Sequence, residues 1–160
     1  MFQILNSARV RYVVVGGLAT VLHGYARLTA DVDLAVDLAP EEATKMIRTL
    51  VTNGFRPQVP VSPEAFADPD AREVWLRDKH MMAFSLVDQA NPMRVVDLLL
   101  KPDVPFETLF ARSVEVALND TMIRIASVDD LIALKRHAGR PQDLADIEQL
   151  EAIRRRKGVF

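Results

Sequence analysis

Two adjacent glycines, Gly16-Gly17, cut short a β-branched run, Tyr12-Val13-Val14-Val15. The run suits a buried strand, and beyond the glycines Leu18, Val21, Leu22 and Tyr25 recur at helical spacing. From Ala30 to Asp37 the period changes to two, with Val32, Leu34 and Val36 alternating against Asp31, Asp33 and Asp37. That alternation describes a strand with one apolar and one wet face. Strand, tight glycine turn, helix and strand therefore follow one another in the first quarter of the chain.

The later segments extend the pattern. Pro40 opens a helix with the apolar stripe Ala43, Met46, Ile47, Leu50 and Val51, closed by Gly54 in a left-handed cap. Four prolines between Phe55 and Asp70 predict loop with at most one short helix. His80 to Val87 and Arg94 to Leu100 read as strands joined by a turn around Asn91-Pro92, and Val114 to Ile125 as a hairpin turning at Asn119-Asp120. Two helices follow at about 127–155, the first capped by Ser127 and Asp130, the second with Pro141 in its first turn. The expected architecture is α+β with an α/β-like core: a mixed sheet, helices packed mainly on one side, and one domain spanning residues 1–160.

Composition narrows the function classes. With 20 Lys+Arg against 22 Asp+Glu the net charge is −2, so a basic surface built for wholesale phosphate-backbone binding is not expected, although a local patch would escape that argument. There are no cysteines, which removes disulfides, zinc ribbons and thiol nucleophiles. The longest largely apolar run, Tyr12 to Leu22, is too short for a bilayer, and the first residues show no basic start followed by an apolar stretch and a cleavage site, so export is not expected. A cytoplasmic protein with no membrane partner is expected, in which the sequon Asn119-Asp120-Thr121 has no meaning.

Three aspartates need an explanation. Asp31 and Asp33 share a strand face, roughly 6–7 Å apart by the rise per residue. Asp97 sits inside Arg94-Val95-Val96-Asp97-Leu98-Leu99-Leu100, the most hydrophobic strand of the chain, where an ionised carboxylate is costly without a compensating group. Two readings stand. Asp31 and Asp33 line a solvated face while Asp97 pairs with an arginine, or all three share divalent cations, which take carboxylates together with substrate phosphates. The diglycine has two readings as well: conformational need, or close approach of backbone amides to a phosphate. It is neither a P-loop nor a dinucleotide fingerprint, since no Gly-Lys-Ser/Thr and no later glycine follows.

Charges also fall on the apolar sides of both last helices. Lys135 projects near the middle of the stripe formed by Val128, Leu131, Ile132 and Leu134, either snorkelling or reaching a phosphate from beneath. In the final helix Leu144, Ile147, Leu150 and Ile153 are expected inward, with Asp143 and Asp146 on the same face and Lys135, Arg140 or Arg27 as partners for Asp146. His23, His80 and His137 have no ligand spacing, Trp75 reads as a packing residue, and Arg154-Arg155-Arg156-Lys157 reads as a solvated helix end or an RNA-contacting tail.

Taken together, Gly16-Gly17, Asp31-x-Asp33 and a lone later Asp97 resemble the DNA polymerase beta-like nucleotidyltransferase superfamily. The segments Arg27-Leu28-Thr29-Ala30-Asp31-Val32-Asp33, Lys135 and Arg140-Pro141-Gln142-Asp143-Leu144-Ala145-Asp146 further resemble the motifs of AbiEii-type toxin nucleotidyltransferases, with threonine in place of serine. The resemblance spans Val13 to Ile147. It implies transfer of a nucleoside monophosphate from a nucleoside triphosphate (NTP) to an acceptor hydroxyl, with two Mg2+ ions on Asp31, Asp33 and Asp97. It further implies that Gly16, Gly17 and Thr29 cradle the triphosphate, that Arg27 and Lys135 offset its charge, and that Arg140, Asp143 and Asp146 support them. Acceptors in keeping with it are an RNA or protein within a toxin–antitoxin pair or, as in aminoglycoside and lincosamide nucleotidyltransferases, a small drug. The remaining alternative is an idle nucleotide-binding or antitoxin module.

Overall fold

A computed structural model describes residues 1–158 of the chain. A short helix α1 (Phe2–Ser7) leads into β1 (Tyr12–Val14), α2 (Gly16–Leu22) and β2 (Asp31–Val36). Then come α3 (Pro40–Thr52), β3 (Phe55–Pro57), a 3-10 turn (Pro63–Ala67), α4 (Pro69–Lys79), β4 (Ala83–Asp88) and β5 (Asn91–Leu99). The chain continues through α5 (Phe106–Arg112), β6 (Val114–Leu118), β7 (Thr121–Ile125), α6 (Val128–Ala138) and α7 (Pro141–Lys157). All seven strands form one sheet in the order β3-β4-β5-β2-β1-β7-β6. The pairs β2–β5 and β1–β7 are parallel and the other four antiparallel, so the expected mixed α+β sheet is what the chain forms.

Alternation along the strands sorts the two faces. Leu34, Val36, Phe84, Leu86, Val96 and Leu98 are buried and join Met46, Ile47 and Leu50 of α3 in one core cluster. Trp75 of α4 stacks on Phe84 at 5.2 Å between ring centroids, confirming it as a packing residue. Each such side chain contributes about 1.5–3 kcal/mol of hydrophobic stabilisation when fully buried. The opposite face carries Asp31, Asp33, Ser85 and Asp97.

Several local expectations are corrected. The helix α4 was not anticipated, because its inward side includes Arg72, buried with Nη1 donating to the Phe66 carbonyl at 2.6 Å and Nη2 to that of Leu38 at 3.1 Å. The helices α1 and α5 are too short to show a period. His80 ends α4 in the left-handed region (φ 50°), so β4 begins at Ala83. The β4–β5 turn falls at Gln89-Ala90, because the Asp88 carboxylate accepts the Ala90 N–H at 2.9 Å and tightens the chain there. Leu144 is 58% exposed; the inward side of α7 is Asp143, Asp146, Ile147 and Leu150. Gly54 (φ 91°) closes α3 and Asn119 (φ 52°) turns the β6–β7 hairpin as expected. Among the described residues no helix is long and apolar enough to cross a membrane.

Candidate active site

The parallel register of β2 and β5 sets Asp33 directly beside Asp97. Antiparallel pairing of β4 with β5 sets Ser85 on the other side of Asp97. Paired residues on adjacent strands share a face, with strands about 4.8 Å apart. Asp31, two residues before Asp33, lies on that face and is exposed. Past Asp33 in the other direction come the end of β1 and the diglycine, held by the Val15 N–H donating to the Asp33 carbonyl at 2.9 Å. One row therefore crosses the sheet: diglycine, Asp33, Asp97, Ser85.

Steric fit explains both glycines. Gly16 has φ 62°, in the left-handed region, and a Cβ there would overlap the Asp33 carboxylate. A Cβ at Gly17 would lie 2.5 Å from Thr29 Oγ1 and 2.9 Å from Arg27 Nη2. The Gly17 N–H donates to the Asp33 carboxylate. The diglycine is thus the only kind of turn that brings backbone this close to Asp33, Arg27 and Thr29 together.

Electrostatics single out the Asp33–Asp97 pair. Burial, then the charge of Asp97 and more weakly that of Asp31, push the Asp33 carboxyl up to about 6, against the Gly17 N–H and the charge of Lys135. Asp97 Oδ1 is buried and has no hydrogen-bond partner, and no arginine pairs with Asp97 among the described residues. Two half-buried carboxylates side by side, one with an orphaned oxygen, are a donor set whose charge and free lone pairs fit a cation. Among the described residues no three His, Cys, Asp or Glu side chains form a ready-made metal cage. The donors are instead an adjacent pair with Asp31 at the rim, which suits Mg2+, an ion that binds one or two carboxylates and completes its shell with substrate phosphates and water.

A buried ionic network backs the row. Asp146, with no exposed surface, accepts from Lys135 Nζ at 2.7 Å, Arg27 Nη2 at 2.9 Å and Gln142 Nε2 at 3.2 Å. Asp143 accepts from Arg140 Nε at 2.8 Å and from the Arg140 backbone N–H at 3.2 Å, with Lys135 Nζ at 3.6 Å. Lys135 is therefore not a snorkelling surface lysine. Its charge and that of Arg140 are both felt by Asp33 or its neighbours, and Arg140 leaves its side chain 76% exposed. The loop between α2 and β2, which carries Arg27 and Thr29, is pinned to α7 through Asp146.

Gly16, Gly17, Arg27, Thr29, Asp33, Asp97, Lys135, Arg140, Asp143 and Asp146 form one connected set at one end of the sheet, with Asp31 at its rim. Sequence reasoning missed Ser85 and Gln142. Ser85 breaks the apolar run of β4, but only the strand register shows that it faces Asp97. The set-aside residues behave as ordinary ones: His23 Nε2 lies 2.8 Å from the Ala126 carbonyl, His137 is 3.3 Å from Asp103, and Arg154 pairs with Asp129. The Lys157 side chain lies outside the described residues. A cavity of about 370 Å3 lies at the other end of β1, among Arg9, Arg11, Phe110 and Arg124, with Arg11 paired to Asp37 and Glu107 and Arg124 to Glu115.

Three solved structures share this fold. A lincosamide antibiotic adenylyltransferase, LnuA, with lincomycin bound, is similar at a TM-score of 0.60 and 19% identity, over 95% of this chain and 92% of that one. ANT(2″)-Ia in complex with adenylyl-2″-tobramycin is similar at 0.57 and 12%, over 96% and 90%. An antigenic nucleotidyltransferase-like protein from Paracoccidioides brasiliensis is similar at 0.56 and 19%, over 94% and 70%. No family model matches the chain, and no curated protein does.

Proposed function

We propose that this chain, which has the fold of nucleotidyltransferases, transfers a nucleoside monophosphate from an NTP to an acceptor hydroxyl. The observation that carries the reading is the row of diglycine, Asp33 and Asp97, with Asp97 Oδ1 left buried and unpartnered. In the transfer the acceptor oxygen forms a bond to the α-phosphorus, the bond from that phosphorus to the β-bridging oxygen breaks, and pyrophosphate leaves. The hydroxyl proton passes to the Asp97 carboxylate. Asp31, Asp33 and Asp97 would hold two Mg2+ ions, which when bound supply neutralisation of charge on the attacking and leaving oxygens.

The chain's own side chains do the remaining work. Gly16, Gly17 and Thr29 border the space where the triphosphate would lie. Arg27, Lys135 and the exposed arm of Arg140 supply positive charge on that side. Asp146 and Asp143 hold those cations in fixed positions, so that their charge needs little reorganisation during the reaction. Catalysis of this kind is mainly positioning and charge stabilisation. A cytoplasmic setting suits an NTP donor.

The toxin–antitoxin setting, with RNA or protein as acceptor, rests on the order of motifs from Arg27 to Asp146. The likeness to two antibiotic-modifying folds favours a small-molecule acceptor about as well. The test is transfer from labelled NTP with Mg2+ to any acceptor pool, with pyrophosphate release measured alongside. The double variant Asp31→Ala, Asp33→Ala should keep the fold and lose the transfer; full activity in that variant would overturn the assignment, and so would an absence of transfer by the unaltered protein.

A further inference from the structure

We infer that the acceptor is a small, neutral or cationic hydroxylated molecule, positioned by Ser85, and is not a nucleic acid; this rests on the nucleotidyl-transfer reading. In-line displacement puts the attacking hydroxyl opposite the departing pyrophosphate. The cations Arg27, Lys135 and Arg140 and the diglycine all lie on one side of the carboxylate row, which assigns the pyrophosphate to that side. The acceptor is left with the other side, where the row ends at Ser85.

That side has a distinct chemistry. Around Ser85 and Asp97 the same face of β4 and β5 presents Ala83, Val87, Val95 and Leu99, all half-buried, and Met93, 82% exposed. Ser85 Oγ has no hydrogen-bond partner among the described residues, so it is free to donate to or accept from a hydroxyl. Among the described residues of β3, β4 and β5, the one cation on this face is Arg56 at the edge. Its Nη1 is folded back onto the Val51 and Phe55 carbonyls, at 2.8 and 2.7 Å. A polynucleotide brings one phosphate per nucleotide and is held by lysines and arginines. Here its phosphates would meet an apolar shelf beside Asp31 and Asp97. A neutral sugar ring or a polyamine-sugar would instead lay carbon surface on Val87 and Val95, direct a hydroxyl to Ser85 and Asp97, and, if cationic, gain from the carboxylates.

The experiment offers labelled NTP and Mg2+ with four separate acceptors: neutral sugars, lincomycin, tobramycin and total RNA. NTP binding is measured independently by equilibrium dialysis. Labelling of one of the small acceptors is expected, with Ser85→Ala raising its KM about tenfold, the effect of one lost hydrogen bond. In that variant NTP affinity should stay as in the unaltered protein, and Ser85→Thr, which keeps the hydroxyl, should restore most of the acceptor affinity. A general loosening of the sheet would instead weaken NTP binding and acceptor binding together. Labelling of RNA alone, NTP binding with no small acceptor labelled, or an unchanged acceptor KM in Ser85→Ala would each overturn the inference while leaving nucleotide binding intact. Absence of NTP binding would show that the underlying reading has failed.

Discussion

Lys135 Nζ lies 2.7 Å from a carboxylate oxygen of Asp146, and both groups are buried between α6, α7 and the loop that carries Arg27. Removing the carboxylate leaves a buried ammonium without its counter-charge and frees Arg27 from α7. Asp146→Ala should therefore destabilise the protein by about 3–5 kcal/mol, the usual consequence of breaking a buried pair from one side. Chemical denaturation at neutral pH, comparing Asp146→Ala with Asp146→Asn, measures it; a loss under about 1 kcal/mol, as for an exposed pair, would show that the network is not buried in solution.

The same carboxylate sets an acid limit. Burial would raise the pKa of Asp146, but hydrogen bonds and charge from Lys135, with hydrogen bonds from Gln142 and Arg27, hold it below the ordinary carboxylate value. Its stabilising contribution is therefore full above the unfolded-state pKa near 3.8 and is lost as pH falls through the lower folded value. Unfolding free energy followed from pH 6 downward should fall less steeply below pH 4 in Asp146→Asn than in the unaltered protein.

Asp33 behaves in the opposite sense. Its folded pKa of about 6 exceeds the unfolded value of 3.8, so the native state binds the proton more tightly. Stability attributable to this group falls as pH rises from about 4 to 6 and stays reduced above that. Asp33→Asn keeps an acceptor for the Gly17 N–H and removes the charge. It should raise stability at pH 7–8 by about 3 kcal/mol, with no gain below pH 4, while transfer is lost. Thermal melts across this range without divalent cation decide the point.

Gly16 admits no side chain. Gly16→Ala must hold a Cβ at φ 62°, at about 1–2 kcal/mol, and must also push the Asp33 carboxylate aside. Gly17→Ala displaces Thr29 and Arg27 while leaving the backbone conformation ordinary. Both variants should lose most of the transfer activity, with Gly16→Ala the less stable of the two in a thermal melt. Equal stability would mean that displacing Thr29 and Arg27 costs as much as the backbone strain and the Asp33 overlap at Gly16 together.

Asp97→Asn tests the proton's destination. The amide is isosteric but can neither take the acceptor proton nor offer a charged oxygen to Mg2+, so kcat should fall by at least about 10²–10⁴, the range for losing a general base alone. NTP affinity measured without turnover should change far less than kcat.

The order of elements around the site was legible because its causes are local. Tyr12 to Val15 followed by two glycines, and the two-residue period from Ala30 to Asp37, need nothing beyond neighbouring residues to define strand, turn and strand. The lysine and aspartates on the apolar sides of α6 and α7 were visible as violations of the helical pattern, and such violations mark buried polar sites. Leu144 was misread and α4 went unread for the converse reason. Leu144 lies toward the flank of α7, and the packed side of α4 contains an arginine that satisfies itself on two backbone carbonyls, so apolarity alone misreports which side is buried.

By itself the sequence determined that Asp31 and Asp33 share a face, that Asp97 is embedded among aliphatic residues, and that glycine occupies both positions before α2; each follows from the period of one strand or the identity of one residue. Only the tertiary structure decided that Asp97 stands beside Asp33, that Ser85 completes the row, and that Asp146 gathers Lys135, Arg27 and Gln142. Those relations depend on which strands become neighbours and in what register, and on how α7 settles against the α2–β2 loop. Pairing of that kind is set by burial summed over the whole sheet, and no single segment carries it.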